Sequence, residues 1–175
     1  LFCKLFRIRM VVTEHWSAFI GWPELPELRF KKAAKVFEYA KWVFAVSEKI
    51  KKGIEERTGT KIQHKYSVTL NAVDTTLFFS SPTIPIEDKP LKNILCVARL
   101  SEEKDLPTLF RALAVLASKR EKFICDLIGK GDSGQYQPLL KELDIVDKVC
   151  FHGEKPKAEI AAAMRNADIL VISSF

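Results

Sequence analysis

Apolar residues fall into short runs separated by stretches of helical period. Strand-like runs cover residues 10–13, 42–46, 66–70, 93–98, 123–128, 149–152 and 168–172, and all are too short to be helices of the usual length. Between them, 105–119 carries Leu106, Leu109, Phe110, Leu113, Leu116 and Ala117 at i, i+3, i+4, i+7, i+10 and i+11, which is one face of an α-helix. Asp105 suits the N-cap, and Pro107 is tolerated in the first turn. Tyr136, Leu139, Leu140 and Leu143 form a second stripe, and Ile160, Met164 and Ala167 a third. In the first half, Phe30, Ala33, Ala34, Phe37 and Ala40 share a face, and Ser47 is placed to cap a helix carrying Ile50 and Ile54. Near-continuous apolar strands alternating with amphipathic helices predict an α/β chain with parallel sheets covered on both faces.

Residues 71–91 break the alternation. Ser80-Ser81-Pro82, Pro85 and Pro90 exclude a regular element there. We read 1–78 as part of one α/β domain, 79–91 as a linker and 92–175 as the first part of another.

Composition supports a folded chain: 47% of 175 residues are hydrophobic and 29% charged, enough for a sizeable core. There is no run of 18 apolar residues. The chain opens Leu1-Phe2-Cys3-Lys4 and stops just after a strand-like run, so the expectation is a cytoplasmic protein seen as an excerpt. Cys3, Cys96, Cys125 and Cys150 are widely spaced without a C-x-x-C pair, and the last three lie in apolar runs. Buried, reduced thiols and no metal site are expected.

Charge changes the picture more. The net +6 is uneven: residues 1–70 hold 14 Lys/Arg against 7 Asp/Glu, and 71–175 hold 14 against 15. The basic surplus sits in the first half, where Lys31, Lys32, Lys35 and Lys41 flank the apolar stripe of the 29–41 helix. That suits a peripheral helix on an anionic membrane surface, or an ordinary packed helix with a lysine-rich outer face. No nucleic-acid reading motif accompanies these residues, so nucleic acid is not an expected partner.

The chemistry concentrates at strand ends. In "VARLSEEKD", 97–105, Arg99 and Lys104 follow a strand and precede a helix. Ligands of open parallel sheets bind beyond the carboxyl ends of the strands. The helix N-terminus adds about half a positive elementary charge, so a phosphate or diphosphate fits. The plainer reading is that both cations pair with Glu102, Glu103 or Asp105 in solvent. The next strand ends in Gly129-Lys130-Gly131, whose glycines permit close backbone approach and positive φ but also suit a plain tight turn. A third ends in His152-Gly153.

Taken together, "LNAVDTTLFF", "VARLSEEKD", "LIGKGD" and "VCFHGEKPKAEIAAAMRNADILVISSF" resemble, in order and spacing from about residue 8 to the end, the nucleotide-sugar-dependent glycosyltransferases of family 4 (group 1 type). These have the GT-B fold of two Rossmann-like domains. The resemblance implies a retaining, metal-independent transferase that moves a sugar from a nucleoside-diphosphate sugar to a glycan or lipid-linked acceptor, as in polysaccharide biosynthesis, with no cofactor. It assigns Arg99 and Lys104 to the diphosphate, with Gly129, Gly131 and Gly153 in the donor-binding loops and Glu154 and Lys155 near the nucleobase. It makes His15, after "VVTEH", an active-site histidine near the transferred sugar; a hydrogen-bonded histidine beside Trp16 and Phe19 is the plainer alternative. Asn71-Ala72-Val73-Asp74 matches the interdomain hinge motif, with Phe78 or Phe79 as its following aromatic.

There are departures. Ala98 and Ala72 replace glycines, and Ala72 would be strained if its site needs positive φ. The family's paired glutamates would begin after Phe175, so the stretch given is not expected to turn over alone. A nucleotide-sugar epimerase or sugar phosphorylase of similar fold, and a non-catalytic nucleotide-binding module, stay open as alternatives.

Overall fold

In both halves the apolar runs pair side by side as parallel strands, because each is joined to the next through a helix rather than a tight turn. A computed structural model describes residues 2–21, 26–62, 65–80 and 91–174. The chain divides into two units, Leu1–Val73 and Asp74–Phe175. The division lies ahead of the 79–91 linker read from sequence, and 81–90 of that linker fall outside the described residues.

The first unit runs α1 (Phe2–Leu5), β1 (Val11–Glu14), α2 (Ala18–Gly21), α3 (Glu27–Tyr39), β2 (Trp42–Ala45), α4 (Glu48–Thr58) and β3 (Tyr66–Val68). Its sheet has the order β1-β2-β3, with Val12 opposite Val43 and Phe44 opposite Ser67. The stripe read on α3 faces inward: Phe30 and Phe37 are buried with Phe19, Val43, Ala45, Ile50, Ile54 and Ile62. Ser47 caps α4 by accepting from the Ile50 N–H at 3.2 Å, and Gly59 closes that helix in the left-handed region at φ 68°. Gly53 is set by packing, since a Cβ there would lie 2.3 Å from the Phe19 carbonyl oxygen. Only glycine lets α2 and α4 touch backbone to backbone at that point.

The second unit runs β4 (Lys92–Val97), α5 (Leu106–Ser118), β5 (Phe123–Ile128), α6 (Gln137–Glu142), β6 (Val149–Gly153), α7 (Lys157–Asn166) and β7 (Ile169–Leu170). Among the described residues the sheet order is β6-β5-β4-β7, all parallel. One face buries Ile94, Cys96, Phe123, Cys125 and Leu127 against Leu106, Leu109, Phe110 and Leu113 of α5, with Tyr136, Leu140 and Ile145 closing the layer.

Several expectations shift. The run read over 66–70 pairs only to Val68, and 168–172 only at Ile169 and Leu170. The α7 stripe centres on buried Ala161, while Ile160 and Met164 are only half-buried. Cys150 is exposed, against the expectation of a buried thiol. It lies on β6, an edge strand among the described residues, on the side away from the α5 layer, because strand side chains alternate and its neighbour Val149 takes the buried side. Ala72 has no positive φ, so the strain considered for it does not arise.

Candidate functional site

Strand order places the ends of β4, β5 and β6 side by side. Arg99 follows β4, Gly129 and Gly131 follow β5, and Gly153 ends β6, so the structure gathers these residues at one sheet edge. Lys104 joins them on a 3-10 turn, Glu102–Lys104, that leads into α5.

The backbone of this edge is tightly braced. Ala98 N–H donates to Ile128 O at 3.0 Å, Leu100 N–H to Lys130 O at 2.8 Å, and Gly129 N–H to Gly153 O at 2.8 Å. A Cβ at Gly129 would sit 1.8 Å from the Ala98 carbonyl oxygen, and one at Gly131, where φ is +143°, would meet the Leu100 Cβ at 2.5 Å. The glycines read as admitting a ligand are thus needed first for the β5 turn to press on the Arg99 loop. Gly153 differs: it holds φ +68° with open space where a Cβ would point.

Asp105 takes the left-handed conformation at φ 42° and caps α5, accepting from Thr108 N–H at 3.4 Å. The Lys104 carbonyl oxygen accepts from Ser173 Oγ at 2.7 Å, which ties the turn to the chain after β7. The Arg99 side chain is 71% exposed and its Nη2 lies 2.7 Å from Glu103 Oε1. One of the two cations is therefore paired in the way the plainer reading held. Among the described residues the Lys104 ammonium makes no hydrogen bond or ion pair. The Glu103 carboxyl is held below the usual carboxylate value by its own backbone N–H, with the charges of Arg99 and Lys104 acting in the same direction. Tyr136, buried against Phe110 and Phe151, has its phenol pushed up by burial and further by the charge of Glu103. The loop thus carries the Arg99–Glu103 pair and, unpaired among the described residues, the Lys104 ammonium, and it leads into the capped N-terminus of a 13-residue helix.

Glu154 is exposed, and Lys155 pairs with Glu159 at 3.0 Å. His15 belongs to the first unit; it is exposed just past β1, where Glu14 Oε1 accepts from Trp16 N–H at 2.7 Å.

Two features of this unit escape the sequence reading. His152 Nε2 lies 2.6 Å from Asp126 Oδ1, across the register shift between β5 and β6. The signal was a carboxylate inside the otherwise apolar run Phe123–Ile128. Arg165 on α7 donates to Leu77 O at 3.2 Å, and its guanidinium lies 4.9 Å from the Phe79 ring. These residues are too far apart in sequence for any spacing to signal it.

The family model for glycosyl transferases group 1 matches residues 82–175, more than half of the chain. The chain belongs to this family. The amylovoran biosynthesis glycosyltransferase AmsK of Erwinia amylovora is 36% identical over 87 residues, 49% of this chain and 21% of that protein. The putative colanic acid biosynthesis glycosyltransferase WcaL of Escherichia coli K12 is 29% identical over 113 residues, 64% and 27% of the two. The chain thus spans roughly a quarter of the length of these curated relatives. Among solved structures, the apo lipopolysaccharide outer core galactosyltransferase WaaB matches at TM-score 0.64 with 25% identity, over 98% of this chain and 45% of its own. Sucrose-phosphate synthase of Thermosynechococcus elongatus matches at 0.74 with 17% identity, over 98% and 47%, a likeness of fold alone. Both units carry the parallel α/β architecture of GT-B glycosyltransferases.

Proposed function

We propose that this group 1 chain forms part of a retaining, metal-independent glycosyltransferase, with Arg99 and Lys104 holding the diphosphate of a nucleoside-diphosphate sugar. The observation that carries the reading is the loop after β4, where the Lys104 ammonium, unpaired among the described residues, and the Arg99 guanidinium, held by Glu103, precede the capped N-terminus of α5. Transfer leaves negative charge building on the departing nucleoside diphosphate. Charges fixed where that charge develops lower the barrier more than they lower the ground state. Arg99 can fork onto two oxygens, and Lys104 acts as a movable point charge. The open space at Gly153 suits a nucleobase, with Glu154 and Lys155 beside it, and His15 serves the transferred sugar.

The names of the relatives, amylovoran, colanic acid and lipopolysaccharide enzymes, support a glycan or lipid-linked acceptor in polysaccharide assembly. Contact with an anionic membrane surface would be electrostatic. The apolar stripe of α3 is spent in the core, while Lys31, Lys32 and Lys35 line an outer groove of about 680 Å³.

The test uses the full-length protein. A thermal-shift panel of UDP-, GDP- and ADP-sugars identifies the donor through stabilisation of the native state. With that donor, Arg99→Ala or Lys104→Ala lowers turnover by roughly 100-fold or more, a typical loss for one such contact. Near-normal kinetics in both variants would sink the assignment, and sugar released or epimerised without an acceptor would favour the phosphorylase or epimerase reading.

A further inference from the structure

The Arg99–Glu103 pair joins two unequal partners. Arg99 is the more exposed end: its long side chain is 71% exposed, against 29% for Glu103. Glu103 is the fixed end, on a turn whose backbone is tied on both sides. Lys104 N–H donates to Ser101 O at 3.0 Å and Asp105 N–H to Glu102 O at 2.9 Å, while the Lys104 carbonyl oxygen takes the Ser173 hydroxyl. An exposed ion pair of this kind adds little to fold stability. Its consequence is geometric. Contact through Nη2 uses one corner of a planar fork with five N–H donors and leaves the opposite edge free.

We propose that Glu103 is a positioning residue that sets the Arg99 guanidinium so that its free edge faces the donor diphosphate, an inference that rests on the reading of Arg99 above. Without Glu103, an exposed arginine samples many rotamers, and binding must order it. Ordering it beforehand is worth roughly 2- to 10-fold in affinity. The carboxylate also repels an incoming diphosphate, but its charge is already engaged by Arg99, and Lys104 next to it stays unneutralised. A latch that competed with the donor for Arg99 is the opposite case and predicts the opposite sign.

The experiment is calorimetric titration of the full-length protein with UDP, GDP and ADP, followed with whichever nucleotide binds. Variants are Glu103→Gln, Glu103→Asp, Arg99→Ala and the double variant Arg99→Ala/Glu103→Gln, with native melting recorded for each. Arg99→Ala is expected to weaken binding by roughly 10- to 100-fold, the scale of a charge-assisted contact. Glu103→Gln and Glu103→Asp each lose roughly 2- to 10-fold, and Glu103→Gln loses nothing further once Arg99 is gone. Equal losses in both backgrounds, or wild-type or tighter binding by both Glu103 variants, overturn the positioning role and leave Arg99 in place. Wild-type binding by Arg99→Ala, or no binding of any of the three nucleotides, overturns the reading of Arg99 and the proposal with it.

Discussion

Burial sorts the cysteines sharply. Cys125 lies fully inside the second unit, and burial pushes its thiol up to about 12; Cys96, its neighbour across β4 and β5, is raised by burial as well. A raised pKa means that the thiol stays protonated through the neutral range, and the thiolate is the reactive form. Cys150, one strand further out, is exposed. Brief treatment of the native protein with iodoacetamide near pH 8, mapped by mass spectrometry, should alkylate Cys150 and spare Cys96 and Cys125 until denaturant is added. Early labelling of Cys125 would contradict the packing of that sheet. Sequence placed all three thiols in apolar runs and could not separate them, because a run does not tell which strand lies at the edge. The same limit applies to Gly129: its need to be glycine comes from the Ala98 carbonyl just past the neighbouring strand β4, and no local turn preference encodes that.

At the scale of elements, α5 was legible in full, since its apolar spacing, N-cap Asp105 and Pro107 are all local signals. The helix α3 was legible only in its stripe. Its C-terminal end has no glycine cap; instead Lys65 Nζ reaches from just before β3 to the carbonyl oxygens of Phe37, Glu38 and Ala40 at 2.8, 2.9 and 2.9 Å. A cation there satisfies the orphan carbonyls and meets the negative pole of the helix. Lys65→Met keeps the apolar stem and removes the donors, so it is expected to cost about 2 kcal/mol, in the range of hydrogen bonds to charged groups. Urea denaturation checks this, and a loss below about 0.5 kcal/mol would reduce Lys65 to a surface lysine. No spacing rule points to this cap, because its two halves are 25 or more residues apart.

At the scale of the whole chain, the alternation of runs and the proline-rich break suggested two α/β domains joined through 79–91, whereas contacts divide the chain at Val73/Asp74, and no local signal tells to which unit the connecting segment attaches. Residues 74–79 are counted with the second unit. Asp74 starts a local turn: its carboxylate accepts from Thr76 Oγ1 at 2.6 Å and from Thr76 N–H at 3.0 Å, and its carbonyl accepts from Phe78 N–H at 2.9 Å. The Thr76 hydroxyl bond chiefly holds that carboxyl below its usual value, and Lys157 of α7 acts in the same direction. Arg165, at the other end of α7, then takes the Leu77 carbonyl and covers the Phe79 ring. Phe79, one of the two aromatics that sequence offered for the motif, is thereby the one held by a cation. Without Arg165 the turn at Asp74 remains, but among the described residues no other hydrogen bond or cation–ring contact fastens Leu77 and Phe79 to the helix. Arg165→Ala should therefore speed amide hydrogen exchange across 74–79 by about tenfold or more, as expected when a restraint of about 1.4 kcal/mol is lost. Exchange in β4 and β5 should not change, because their bonds lie in the buried sheet. Unchanged exchange at 74–79 would mean that Arg165 only rests on the segment. Equal acceleration in β4 and β5 would mean that the substitution loosens the whole unit rather than its attachment to the connector.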